Sequence, residues 1–183
     1  MKRFPLEQYA SLELNQVAFS KTGMVVSQTP LGAEFTAAAP CENGMWVLAD
    51  KAVGTIGSAA AVTDTPIGIV YTAEKEYDDA HYGLKTFGRK IAGDYPRVGI
   101  LGLGDTVTTN CLQYDESEFA TEKDLIDALN DIDTTPIYVG LVAGSPVPKL
   151  SATKPAAGPV GKVTKFYTVP NGEKGVKYQI VSL

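Results

Sequence analysis

Apolar and polar positions alternate along this chain in short runs punctuated by turn residues, and only one stretch keeps a helical spacing. Asn43-Gly44 is a turn pair that supplies positive φ. It leads into the apolar run Met45-Trp46-Val47-Leu48-Ala49, which Asp50-Lys51 closes, so a strand is predicted between two turns. Val53 to Ile56 reads as a second extended piece, and Ala59 to Ala61 as a small-residue step. Thr63-Asp64-Thr65-Pro66 reads as a turn before the strand Ile67 to Tyr71. Residues 97–101 and 106–112 alternate on either side of Gly102-Leu103-Gly104-Asp105 and predict a hairpin. Ile137 to Val142 is a further strand. Lys162 to Val169 and Val176 to Val181 alternate around Pro170-Asn171-Gly172, which predicts a terminal hairpin with Val176, Tyr178 and Ile180 on its buried face and Lys177 and Gln179 on the other.

The helical stretch begins at Thr121-x-x-Asp124, a capping-box-like start, with Glu122 in the first turn favourable to the helix dipole. Leu125, Ile126, Leu129 and Ile132 form its apolar stripe, so a helix is predicted over 122–131. The expected fold is mainly β with an α+β detail: a small β-barrel or β-sandwich with one packed helix, a long loop and a terminal hairpin. The expected organisation is an N-terminal arm or edge segment at 1–30, a main β domain at 31–143, a Pro-rich linker at 144–161 and the hairpin at 162–183. Residues 1–30 have no clean period and suit a short helix followed by a strand, packed on the chain's own core or reaching a neighbouring subunit. The linker rests on Pro146, Pro148, Pro155 and Pro159 among Ala, Ser and Lys.

Residues 72–94 change character. Gly83, Gly88 and Gly93 are too closely spaced for a stable helix, and Tyr77, Tyr82 and Phe87 lie between or near them. A long ordered loop is expected there, and loops of that length tend to be contact surfaces. Lys85, Arg89, Lys90 and Arg97 follow the acidic residues 74–79 and read as a solvated mixed-charge loop or as an electrostatic docking edge. The candidate interface is therefore Leu6, Tyr9, Tyr77, Tyr82, Phe87, Arg89 and Lys90.

With 183 residues the chain is long enough for one well-buried core, and its apolar fraction of 44% and charged fraction of 20% are those of a globular protein. A net charge of −5 argues against direct nucleic-acid binding, because phosphate neutralisation needs clustered Lys and Arg. No apolar run approaches the roughly 18 residues of a membrane span. Met1-Lys2-Arg3 resembles a signal n-region, but Glu7, Gln8, Glu13 and Asn15 interrupt any apolar stretch after it, and a chain made in a cytoplasm is expected. Cys41 and Cys111 lack metal or redox spacing and are expected to be buried free thiols.

Candidate chemistry is sparse. His81 is the single histidine, and beside Asp78 and Asp79 it matches no zinc or EF-hand spacing. A hydrolase would have to work through it. The glycines of Gly99-Ile100-Leu101-Gly102-Leu103-Gly104 precede a strand-like run, whereas phosphate loops place glycines before a helix, so a turn is the better account. Trp46 reads as a core anchor first and an interface anchor second, both ahead of a stacking platform for a sugar or base. No catalytic residue, metal or cofactor is expected.

The stretch Glu42 to Tyr77 runs from a Gly-led strand through a hairpin and an Ala-rich step to Asp64-Thr65-Pro66-Ile67-Gly68-Ile69-Val70. This order, over roughly a fifth of the chain, resembles the capsid-decoration (cement, or auxiliary head) proteins of tailed bacteriophages. The resemblance implies a non-enzymatic virion protein made in the host cytoplasm that binds the outside of the capsid and stabilises subunit seams. Its implied partners are the major capsid protein and copies of itself, often in threefold clusters, with no direct nucleic-acid or membrane contact. A carbohydrate- or small-ligand-binding β domain using Trp46, Tyr77 and Tyr82, or another virion part such as a tail or head-completion protein, are the alternatives.

Overall fold

The computed structural model describes residues 1–4, 10, 12, 17–20, 25–26, 29–50, 52–72, 90–168 and 173–183. Among them the strands are β1 (Lys2–Arg3), β2 (Val17–Ala18), β3 (Val25–Val26), β4 (Trp46–Leu48), β5 (Ile67–Val70), β6 (Val98–Ile100), β7 (Thr106–Thr109), β8 (Gln113–Tyr114), β9 (Tyr138–Val142), β10 (Ser145–Ser151), β11 (Val160–Thr168) and β12 (Lys174–Ser182), with helix α1 at Glu122–Asn130. The fold is mainly β, as the patterning predicts, and consists of two open sheets with no closed barrel among the described residues.

The apolar runs around Trp46 and Ile69 are continuous because their strands are buried on both faces. They form the small antiparallel sheet, ordered β3-β6-β5-β4, with Trp46 opposite Ile69 and Ile69 opposite Gly99. Trp46, Ile67 and Ile69 pack toward the larger sheet, while Val47, Val70 and Val98 pack with Leu31, Phe35 and Ile56 in a second cluster. Gly99 leaves room for the Phe19 ring, whose outer edge lies where a Cβ would stand.

The large sheet is ordered β1-β8-β10-β9-β11-β12-β7-β2, antiparallel throughout except where β10 runs parallel to β8. Its inner face carries Val107, Val139, Leu150, Val163, Val176, Tyr178 and Ile180, all buried against the small sheet and α1. The two sheets meet through Trp46 of β4, whose Nε1 donates to the Tyr178 hydroxyl at 3.1 Å, with the rings edge-on and 6.0 Å apart. Helix α1 starts at the capping box. The Thr121 side chain accepts from the Asp124 N–H, and the Asp124 carboxylate accepts from the Thr121 N–H at 2.9 Å. Leu125 and Leu129 are the buried part of its stripe, and Ile126 is half-buried.

The terminal hairpin forms as expected, β11 against β12, with Val176, Tyr178 and Ile180 buried and Lys177 and Gln179 exposed. Its turn, 169–172, lies outside the described residues. Three expectations are corrected. Residues 97–101 and 106–112 are not a hairpin: β6 joins the small sheet and β7 the large one, so Gly102–Asp105 is the corner where the chain changes sheets. The Val53 to Ile56 piece is mostly turn and contributes only a bridge from Ile56 to Leu31. Residues 144–161 are not a linker, because Ser145–Ser151 is an interior strand of the large sheet. Pro146 and Pro148 are tolerated because the β10–β9 register is interrupted between Ser145 and Lys149. The Gln113 side chain caps the Val147 carbonyl there at 2.6 Å.

The described N-terminal residues lie on the chain's own sheets as edge strands. β1 borders β8, β2 borders β7 at the far edge, and β3 borders β6. Phe4 follows β1 into the core, fully buried and edge-on to Phe166 at 6.4 Å. The remaining edge, β4, is covered by a bridge between Leu48 and Gly57. Three of the four sheet edges are thus strands of two residues and the fourth carries a bridge, and very short edge strands blunt strand-to-strand association.

Candidate functional site

Of the expected interface residues, Leu6, Tyr9, Tyr77, Tyr82, Phe87 and Arg89 lie outside the described residues, as do His81, Asp78 and Asp79. Lys90 is described. It is half-buried and its backbone forms a two-bond bridge with Cys41, at 2.7 and 2.9 Å. Arg97 lies over the Tyr71 ring, 5.0 Å from its centre. Trp46 is fully buried with its N–H satisfied, so it offers no stacking surface.

An apolar groove of about 520 Å³ lies at the corner between the sheets. The corner is built by Asp105, a buried carboxylate that accepts from the Gly102 N–H at 2.7 Å and also from the Ser20 N–H. The backbone of β12 braces it, Gly104 N–H to the Ile180 carbonyl at 2.9 Å and Ile180 N–H to the Asp105 carbonyl at 2.8 Å. Ile67 and Leu101 form the buried floor, locked by Leu101 N–H to the Ile67 carbonyl at 3.0 Å. Leu103 and Leu183 stand at the lip, 58% and 63% exposed. Gly158 closes one side at φ 75°, where a Cβ would collide with the Val62 carbonyl oxygen, so only glycine fits. Large apolar side chains standing open beside an apolar groove mark a contact surface, and the volume falls in the range of small-ligand pockets. Residues from 65–67, 100–105, 158–159 and 183 converge here, and their separation in the chain hides the groove from a linear reading. The one local signal is an apolar Leu103 inside a glycine turn.

A polar cluster lies at the other end of the large sheet. Glu118 accepts from Lys149 Nζ at 2.7 Å, from the Ser151 hydroxyl at 2.6 Å and from the Ala152 N–H at 3.0 Å. Partial burial pushes its carboxyl up, but these bonds together hold it below the usual glutamate range. Ser151 is buried and its oxygen also accepts from the Thr153 N–H at 3.1 Å. A hydroxyl donating to a carboxylate and capped by a backbone N–H is anchored. The cluster pins the 152–159 loop to β10. The two cysteines are buried and free, as expected. Burial, the larger cause, and each other's charge raise the Cys41 thiol strongly, and burial pushes Cys111 up to about 12, so neither is a reactive thiolate. No group of residues able to hold a metal occurs among the described residues. Comparison with known proteins gives no match to a family model, to a curated protein or to a solved structure.

Proposed function

We propose that this chain is a non-enzymatic virion structural protein that binds the outside of a phage capsid and stabilises the seams between its subunits. The observation that carries the reading is the apolar groove with Leu103 and Leu183 open at its lip, on a β module whose edge strands are short. Such a module favours attachment through side chains and faces, because its short edge strands offer little length for strand addition. The pattern from Glu42 to Tyr77 supports the capsid as the place of attachment. The groove would take apolar side chains of the major capsid protein, and an interface of about 800 Å² per partner, repeated over the seams, suffices for stable binding. Homo-oligomers, in the threefold arrangement of such proteins, would place several grooves around one seam.

The test is co-sedimentation of the purified chain with expanded and with immature shells. Pelleting with the shells is expected, and Leu103→Asp should weaken it at least tenfold, the effect of losing an interface anchor of about 2 kcal/mol. Absence from both shell forms overturns the reading. The groove's volume also favours a second reading, a small apolar ligand held between Ile67 and Leu101. In a thermal-shift screen only a ligand binder is stabilised by compound.

A further inference from the structure

The outer face of the terminal hairpin breaks a rule of sheet stability. In the β11–β12 register Lys162 lies opposite Gln179 and Lys165 opposite Lys177, with a bulge at Thr164 between them. Without the bulge Lys165 would share the inner face of Val163. With it, Lys162, Lys165 and Lys177 are exposed on one outer face. Like charges directly opposite one another on neighbouring strands destabilise the pair, and no carboxylate pairs with any of these three lysines among the described residues.

Helix α1 breaks the opposite rule. Residues 115–133 hold eight carboxylates and one lysine, Lys123, which is paired to Asp127. The last turn of α1 has no basic residue, and Asp127, Asp131 and Asp133 sit exposed at the end where the helix dipole is already negative. The two features are kept apart within one molecule. The helix packs its Leu125 and Leu129 on the inner side of the large sheet, with Val163, whereas the lysines face outward. The hairpin, 160–182, carries four lysines and one glutamate in a chain of net −5, which leaves −8 on the rest.

We propose that the outer face of the β11–β12 hairpin docks on the acidic C-terminal end of α1 in a second copy of this chain. Contact in this sense relieves both local conflicts, the paired lysines and the acidic helix end. It is heterologous, hairpin of one copy to helix of the next, so it closes into a ring or continues as a row. The overall acidity of the chain favours its own acidic helix over a nucleic acid as the occupant, although a lysine face with Tyr167 beside Lys165 has the composition of a single-strand platform. The inference stands on charge placement alone and does not depend on capsid binding.

The experiment is sedimentation velocity of the full chain at low and high salt, since screening shortens from about 30 Å at 0.01 M to about 3 Å at 1 M. Wild type is expected to associate at low salt and to dissociate at high salt. Lys165→Glu with Lys177→Glu, all exposed positions, should weaken self-association at least tenfold while leaving the far-UV spectrum and melting temperature unchanged. Asp131→Lys with Asp133→Lys should do the same. An equimolar mixture of the two double variants should associate again, because each then offers what the other lacks. A wild type that is monomeric at low salt, or a mixture that fails to associate, overturns the proposal. So does a salt-sensitive shift of a single-stranded oligonucleotide by a chain that remains monomeric. Failure of shell co-sedimentation leaves these outcomes untouched, so the two proposals fail separately.

Discussion

Trp46 and Tyr178 are the residues on which the two sheets meet, and their hydrogen bond is sealed from solvent. Burial pushes the Tyr178 hydroxyl far above its ordinary value, so it stays a neutral partner at any working pH. Removing only the hydroxyl leaves the indole N–H buried with nothing to donate to. Tyr178→Phe is therefore expected to cost about 1–3 kcal/mol, read as a lower urea midpoint at unchanged slope. A variant as stable as wild type would mean that the indole finds another acceptor. The burial of both residues is readable in the sequence: a lone Trp in a continuous apolar run, and a Tyr on the apolar phase of an alternating strand. Their pairing is not readable, because 132 positions separate them. The groove residues are hidden for the same reason, and only Leu103 is out of place locally.

At the scale of elements, local chemistry was legible and partner choice was not. The Thr121 to Asp124 capping box and the Pro170-Asn171-Gly172 hairpin signal are complete within a few residues, and α1, β11 and β12 appear where the pattern places them. The Gly102–Asp105 turn looks the same whether its flanking strands fold together or separate, and here they separate into different sheets. Pro146 and Pro148 suggest a linker because the sequence does not disclose a bulge in which a missing N–H costs nothing. The Glu118 cluster shows how the strand after that bulge is held. Its depressed carboxyl contributes stability that is fully present above the ordinary glutamate range and is lost as the pH falls through the lowered folded-state value. Wild type should thus exceed Glu118→Gln in stability at neutral pH, and the gap should close below about pH 4, the unfolded glutamate range. Chemical denaturation at a series of pH values reads this, and a gap constant down to pH 3 would remove Glu118 from the account.

For the whole molecule, the inner core shared by both sheets implies that they unfold together. Deleting residues 1–4 should lower stability by the roughly 3–5 kcal/mol of an emptied Phe site and expose the edge of β8. Light scattering is expected to show aggregation of the deleted chain at concentrations where Phe4→Ala alone stays soluble, which separates the edge effect from the cavity effect. Equal solubility of the two would show that β1 does not guard the edge.

Those same edge strands set an order on how the chain acquires its structure during synthesis. β2 borders β7, and β7 borders β12, which follows every other described strand in the chain. The small sheet has all its strands by Ile100, but the strands from β9 to β12 that form the middle of the large sheet follow much later. β2 and β7 can therefore pair with each other long before β12 joins them to β11, and a nascent chain stalled before residue 174 holds that pair apart from the rest of the large sheet.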